Sequence, residues 1–183
     1  RLGPEIGRCE IGFDAPDFLV GKLQGAIADA VDRVAGLIGQ LDAVADLARP
    51  LTPRGAKQAQ RMAEWLNRFL PESTRVLVSP ALRTRQTAEA LGRKFRTLDQ
   101  LAPGCSHGQA LDAARWPDSR EPVLLVGHQP TLGQLAAHLM GGPATLDSGP
   151  WAVRKGAVWW LRHRERAGVA EVVLVSVRTP DKL

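Results

Sequence analysis

Several residue types are scarce in this 183-residue chain, and each scarcity excludes a class of protein. Tyrosine is absent, and only two cysteines and four histidines occur. Cys9 and Cys105 form no CxxC pair and no metal-ligand spacing, so we expect free thiols in a reducing cytoplasm and no metal site. A membrane span needs a run of about 18 apolar residues, and the chain contains none. No signal peptide is recognisable.

The charge is unevenly distributed along the chain. Residues 1–49 carry a net charge of −3, and residues 50–183 carry a net charge of +8. A basic region of this kind attracts nucleic acid or an anionic substrate. Because no basic run with interleaved aromatic residues occurs, an anion pocket explains the charge better than a nucleic-acid interface.

The order of apolar segments predicts an α/β fold. After Pro50, helices alternate with short apolar strands, and a hairpin follows. The predicted helices cover residues 53–70, 80–95, 110–115 and 131–140, and the predicted strands cover residues 75–78, 123–126, 157–163 and 171–177. We therefore expect a three-layer α/β/α sandwich with a mixed, mostly parallel sheet.

The first 45 residues have a different pattern. Residues 1–17 are typical of a loop, whereas apolar residues at three- and four-residue steps predict an amphipathic helix over 18–45. This helix covers one face of a sheet or, alternatively, pairs with a partner helix. We expect an atypical N-terminal part, residues 1–45, followed by one domain, residues 46–183.

The first candidate site follows the strand at residues 75–78. Ligands bind outside the carboxyl ends of strands in open α/β sheets. Here Ser79-Pro80 leads into a helix, and Arg83 lies in its first turn. A guanidinium beside a helix N-terminus offers several donors to one phosphate group. The alternative is a solvated arginine on a surface helix.

The second candidate site follows the strand at residues 123–126. Gly127 allows a tight turn, His128 stands at the edge of the sheet, and Pro130 prepares the next helix. An imidazole there can donate to a phosphate oxygen or transfer a proton. The alternative is a histidine that only caps a turn.

Together these segments resemble the histidine phosphatase superfamily and, in size and ending, its small SixA-type protein phosphohistidine phosphatases. The resemblance covers about residues 46–183. Its elements are Asp46–Ala59, similar to D-x-x-R-x-L-T-x-x-G-x-x-Q-A; Ser79–Thr87, similar to S-x-x-x-R-A-x-Q-T with Thr84 in place of Ala; Gly127–Pro130, similar to the second-histidine element; and Lys155–Trp159, similar to the closing strand.

The resemblance implies hydrolysis of phosphohistidine or a phosphomonoester without a metal ion or cofactor. In that mechanism a histidine takes the phosphoryl group, while arginines and a second histidine stabilise its charge. It gives His128 a catalytic role and makes Arg83, His128 and Arg33 the candidate phosphate ligands. The expected partner is a phosphorylated protein or a small phosphate ester. Binding to nucleic acid or to a membrane is not expected.

The nucleophile that the family needs is not visible. Its first strand ends in Arg-His, but the corresponding window, residues 32–40, has helical periodicity and contains Arg33 without a histidine. Val34 follows Arg33, and a valine cannot form a phospho-enzyme. The sequence leaves three hypotheses open: an impaired phosphatase, a pseudophosphatase that binds phosphate or a phosphorylated protein, and an altered N-terminus on a once-active enzyme.

The other histidines are poor replacements for the nucleophile. His107 lies in a predicted loop, which places groups less accurately than a strand end. We expect His138 to pack within a helix and His163 to be solvated at a charged strand end.

Overall fold

The computed structural model describes residues 20–183, and it describes side chains from residue 32 onward except at residue 38. The chain forms two compact units, Arg1–Ala43 and Val44–Leu183. The loop predicted for residues 1–17 lies outside the described residues.

Helix α1 covers Val20–Ala48. The helix predicted over residues 18–45 is therefore confirmed from residue 20, and it continues to Ala48. Its large apolar residues Val34, Leu37, Leu41 and Val44 are 54–68% exposed. The packing of this helix on a sheet or on a partner helix stays a prediction.

Three parallel strands form the sheet of the second unit. These are β1 (Arg75–Val78), β2 (Arg96–Thr97) and β3 (Val123–Val126), in the order β2-β1-β3. β1 and β3 pair in register from their first residues to their last. β1 and β3 are therefore adjacent, and both carboxyl ends open at one edge of the sheet.

Four helices accompany the strands: α2 (Pro53–Asn67), α3 (Leu82–Glu89), α4 (His107–Ala114) and α5 (Thr131–Gly141). Thr52 caps α2, since its Oγ1 accepts a hydrogen bond from the Gly55 amide at 3.1 Å. The helix predicted over residues 80–95 is too long. Gly92 adopts a φ of +65° soon after α3 ends, and the chain then enters β2.

The core covers both faces of β1. Val76 and Val78 pack with Ala63 and Leu66 of α2 on one face. Leu77 points to the other face, where it packs in a cluster that includes Leu101 of the connecting turn and Ala110 of α4. Alternate side chains thus enter opposite apolar layers, as in a parallel strand with helices on both faces.

The last two strands form the predicted hairpin. β4 (Val158–Arg166) and β5 (Val169–Arg178) pair antiparallel around Ala167-Gly168, and both are longer than predicted. The fold class is α/β, as expected. Within the described residues the hairpin is a two-stranded sheet of its own, separate from β2-β1-β3. None of the helices in residues 20–183 is long and apolar enough to cross a membrane.

Candidate functional site

A cleft of about 980 Å³ opens where β1 and β3 end. Its lining includes Asp46, Arg49, Arg83 and His128. Arg83 and His128, the candidates that follow the two strands, therefore face one space. Because the strands are parallel and in register, their following residues meet at the same sheet edge.

Arg83 is the second residue of α3, and its side chain is only 18% exposed. One guanidinium nitrogen donates to Asp46 Oδ2 at 2.8 Å and lies 3.2 Å from His128 Nδ1. The other guanidinium nitrogen donates to the Asp46 carbonyl oxygen. The guanidinium is thus held in place with its donors directed into the cleft.

The Asp46 carboxylate lies beside the Arg83 guanidinium, where an anionic ligand would bind. Its carboxylate also contacts Arg49 at 2.9 Å. The hydrogen bond from Arg83 is the main cause that lowers the pKa of Asp46 below its usual value. The cleft therefore stabilises a negatively charged oxygen group at this point, and in this structure that group is the Asp46 carboxylate.

The hydrogen bonds of His128 define its tautomer. Arginine donates and cannot accept, so Nδ1 beside Arg83 must be the unprotonated nitrogen. Nε2 then carries the proton and donates to Ser79 Oγ at 2.6 Å. Ser79 accepts here, so His128 does not act as its base in this arrangement. The contact gives no support to a Ser–His nucleophile pair.

His128 is neutral at physiological pH. Burial is the main cause that lowers its pKa from 6.5 to about 4, and the Arg83 charge adds to the shift. A neutral imidazole can donate one hydrogen bond from Nε2 and accept one at Nδ1. An incoming dianion would favour its protonation, because an opposite charge raises the pKa of a histidine.

This shift predicts a loss of stability in mild acid. Between about pH 6.5 and pH 4 the unfolded chain binds a proton at His128 that the folded chain does not, so stability falls as the pH falls through that range. We expect the free energy of unfolding to drop by about 1–3 kcal/mol from this group. Urea unfolding of the wild type and of His128→Gln at closely spaced pH values measures it.

The substitution should flatten the slope between pH 6.5 and pH 4. Asp46 acts in a separate window, since its lowered pKa affects stability only as the pH falls through and below its usual value of 3.8. Equal slopes for wild type and His128→Gln would contradict the assignment.

The three other histidines lie away from the cleft lining. His107 begins α4, and its ring lies 5.1 Å from that of His138 in α5. His107 therefore does not overhang the site, which removes it as a replacement nucleophile. His163 is half-buried and meets Trp116 edge-on at 5.6 Å, so the expected solvation is wrong.

Arg33 lies in α1, in the other compact unit, and is exposed. Its expected role as a phosphate ligand stays a prediction. The whole window of residues 32–40 is helical, as its periodicity predicted. Among the described residues, no three His, Cys, Asp or Glu side chains form a group that could hold a metal ion.

Two members of the site were missed in the sequence reasoning. Ser79, which is fully buried, bonds His128, and Asp46 bonds Arg83 across 37 residues. A third long-range bond runs from the Leu51 amide to Gln86 Oε1 at 2.7 Å and ties the segment after Asp46 to α3. Asp46, Leu51, Ser79 and Gln86 all belong to the motifs that resemble the family, and that membership was the available signal.

Comparison with known proteins agrees with this geometry. A sequence model of the histidine phosphatase superfamily (branch 1) matches residues 39–103. The phosphohistidine phosphatase SixA of Escherichia coli is 37% identical over 110 residues, covering 56% of this chain and 68% of that protein. An uncharacterised protein of Mycobacterium tuberculosis is 38% identical over 98 residues, covering 52% of this chain and 61% of the relative.

Two solved structures are similar over most of the fold. The protein histidine phosphatase SixA complexed with tungstate is 29% identical with a TM-score of 0.60. A SixA-type structure from Nakamurella multipartitia is 30% identical with a TM-score of 0.57. Each match covers 74% of this chain and 87% of the other. Family motifs, sequence identity and fold agree, and the chain belongs to the histidine phosphatase superfamily as a SixA-like member.

Proposed function

We propose that this chain binds the phosphoryl group of phosphohistidine, or of a small phosphate ester, between Arg83 and His128. One observation carries the proposal: Arg83 and His128 converge on a half-buried point where Arg83 already holds an oxyanion, the Asp46 carboxylate, at 2.8 Å. Phosphate takes the same donors as a carboxylate and gains more from them because it carries more charge.

In the bound state phosphate displaces Asp46 from part of the guanidinium. Arg83 then contacts phosphate oxygens. The first amides of α3 can also donate to the phosphate, because Ala81 supplies no side-chain cap for them. Nε2 of His128 already donates to Ser79, so His128 gives phosphate a donor from Nδ1 once the ring is protonated. These groups stabilise charge on the equatorial oxygens in phosphoryl transfer. The mechanism needs no metal ion or cofactor.

Catalysis requires more than the binding site, because it also requires a nucleophile. A nucleophilic histidine must lie in line with the leaving group. Of the four histidines, only His128 lines the cleft, and it flanks the Arg83 site. We therefore assign the chain a phosphatase-like function with impaired turnover, acting on a phosphorylated protein in the cytoplasm.

A pseudophosphatase is the second candidate function. The helical window at residues 32–40, where the family resemblance places a strand and its histidine, favours it. Such a protein holds a phosphohistidine or phosphoprotein through the same contacts and releases it unchanged. The two functions share the binding site and differ in turnover alone.

Substitution of Arg83 tests the binding site. Arg83→Ala should weaken binding of phosphate, vanadate or tungstate by about 1.5–3 kcal/mol, the contribution of a charge-assisted hydrogen bond. The corresponding loss of affinity is roughly ten- to 150-fold. Isothermal titration with each anion measures it.

Arg85→Ala is the matched control, because Arg85 is exposed and lies on the same helix two residues later. It removes the same charge from the chain without removing a cleft residue. Equal affinities for the Arg83 and Arg85 variants would show that net charge, and not the site, attracts the anion.

A further inference from the structure

Asp46 holds Arg83 through two different groups, its main chain and its side chain. The Asp46 carbonyl lies in the last turn of α1, and Pro50, four residues later, has no N–H to donate to it. One guanidinium nitrogen of Arg83 donates to this carbonyl, and the other donates to the Asp46 carboxylate. The first contact does not depend on the side chain at position 46, whereas the second does.

The guanidinium nitrogen that the carboxylate occupies is the one beside His128. This nitrogen donates to Asp46 Oδ2 at 2.8 Å and lies 3.2 Å from His128 Nδ1. A terminal guanidinium nitrogen carries two N–H groups, and these two contacts use both of them. A phosphoryl oxygen that binds between Arg83 and His128 therefore needs a donor that the carboxylate holds in the free chain.

Arg49 offers the carboxylate a second partner. Oδ1 of Asp46 contacts Arg49 at 2.9 Å while Oδ2 contacts Arg83, so the carboxylate bridges two guanidinium groups. The Arg49 side chain is 63% exposed, and a side chain so accessible to solvent can follow the carboxylate when it moves. Loss of the contact with Arg83 therefore leaves the negative charge of Asp46 paired.

The position of Asp46 in α1 also makes its carboxylate easier to displace. Asp46 lies in the last turn of the helix, where the partial negative charge of the helix end disfavours a carboxylate. Its side chain is 38% exposed, so water can solvate the carboxylate when it leaves Arg83. Arg83 is 18% exposed and keeps its bond to the Asp46 carbonyl. The carboxylate is thus the partner that leaves.

We propose that Asp46 is a built-in competitor for the phosphoryl group. In the free chain its carboxylate occupies the Arg83 donor, and an anionic ligand binds only by moving the carboxylate toward Arg49. The apparent affinity for every anion is then reduced by the fraction of chains in which the donor is occupied. This inference rests on the proposed function, because it concerns the regulation of the same Arg83 site.

A positioning role for the Asp46 side chain predicts the opposite effect. A carboxylate that held Arg83 for the ligand would strengthen anion binding, and its removal would weaken it. The Asp46 carbonyl already fixes the guanidinium, so the side chain is not needed for that purpose. A carboxylate that stayed on Arg83 would also repel a bound dianion. The geometry therefore favours competition.

The test measures the affinity of the full chain for inorganic phosphate and tungstate by isothermal titration. Asp46→Asn and Asp46→Ala should both bind these anions about tenfold more tightly than the wild type. The gain lies near the lower end of the contribution of a charge-assisted hydrogen bond, because the carboxylate is partly exposed. Both variants are used because asparagine could donate to the anion itself, whereas alanine cannot. Unchanged or weaker binding by both would overturn the proposal.

Asp112→Asn is the matched control for charge. Asp112 is exposed in α4 and does not line the cleft, so this variant removes the same charge elsewhere on the chain. It should bind phosphate with the affinity of the wild type. A gain equal to that of Asp46→Asn would show that net charge sets the affinity, and the competitor assignment would then be wrong.

Formate provides a readout that a change in the local field alone would not give. In Asp46→Ala the vacated place beside Arg83 is open to an external carboxylate, so formate should compete with tungstate. In the wild type the chain's own carboxylate already holds that place, so the same formate concentrations should have little effect. If Asp46→Asn does not fold, this comparison decides, and a folded Asp46→Ala without formate competition would contradict the proposal.

Arg83→Ala, titrated in the same series, separates this inference from the proposed function. Loss of affinity in Arg83→Ala, without a gain in either Asp46 variant, would refute the competitor and leave the anion site intact. Anion binding that does not depend on Arg83 would refute the proposed function, and the competitor inference with it.

Discussion

The unmodified chain should hydrolyse phosphohistidine or p-nitrophenyl phosphate on the order of 10³-fold or more slowly than SixA of Escherichia coli, by analogy with the loss of a catalytic nucleophile. Covalent transfer needs an imidazole nitrogen that attacks phosphorus as the bond to the leaving group breaks. His128 directs Nδ1 at Arg83 and Nε2 at Ser79, so it is positioned to stabilise charge. Residual turnover then comes from binding and electrostatic stabilisation.

Initial rates at saturating substrate, together with acid quenching, test this expectation. The relative is assayed in parallel, and Arg83→Ala of this chain shows how much residual turnover depends on the cleft. Full-rate hydrolysis with acid-labile phosphate trapped on His107 or His128 would contradict the assignment, because it would identify a working nucleophile.

The strands and their order were predictable because each carries a local signal. β1 and β3 are short runs of apolar residues bounded by polar turns, and such runs are typical of parallel strands between helix layers. The hairpin was predictable from two such runs around Ala167-Gly168. β2 was not, because two exposed residues, Arg96 and Thr97, carry no hydrophobic pattern.

The separation of the hairpin from the parallel sheet could also not be predicted from a local sequence pattern. A segment's sequence predicts that it is extended but not which edge it pairs with. Val158 supplies an example: its apolar run predicts a strand, yet it packs against the Val76 and Val78 core while hydrogen-bonding only to β5 in the described structure. The distinction matters because it creates the cleft.

Arg83 and His128 were predictable as a pair because both follow strands at one sheet edge. Their partners were not predictable from spacing. Asp46 reaches Arg83 across 37 residues and Ser79 reaches His128 across 49, so only the fold brings them together. The lowered pKa of His128 depends on its burial and on the neighbouring guanidinium. The charge state of the site is therefore a tertiary property.

A strand that ends in Arg-His-Ala, built in place of residues 32–40, should restore hydrolysis. The new histidine would supply the missing nucleophile, and its strand could pair with the edge of β3 that no described strand occupies. The imidazole nitrogen would bond to phosphorus while the leaving group departs with a proton, and water would then release phosphate and regenerate the imidazole. We expect a gain on the order of 10³-fold in the rate of phosphohistidine hydrolysis, the reverse of removing a nucleophile.

The matched control is the same graft ending in Arg-Ala-Ala, which keeps the strand and removes the imidazole. It should retain the low rate of the parent chain, and Arg83→Ala in the active graft should lower the rate because the phosphate loses its guanidinium. Circular dichroism and tungstate titration establish that each graft is folded with an intact anion site. A folded Arg-His-Ala graft that binds tungstate, yet turns over no faster than the Arg-Ala-Ala graft, would show that the missing histidine is not what limits this chain.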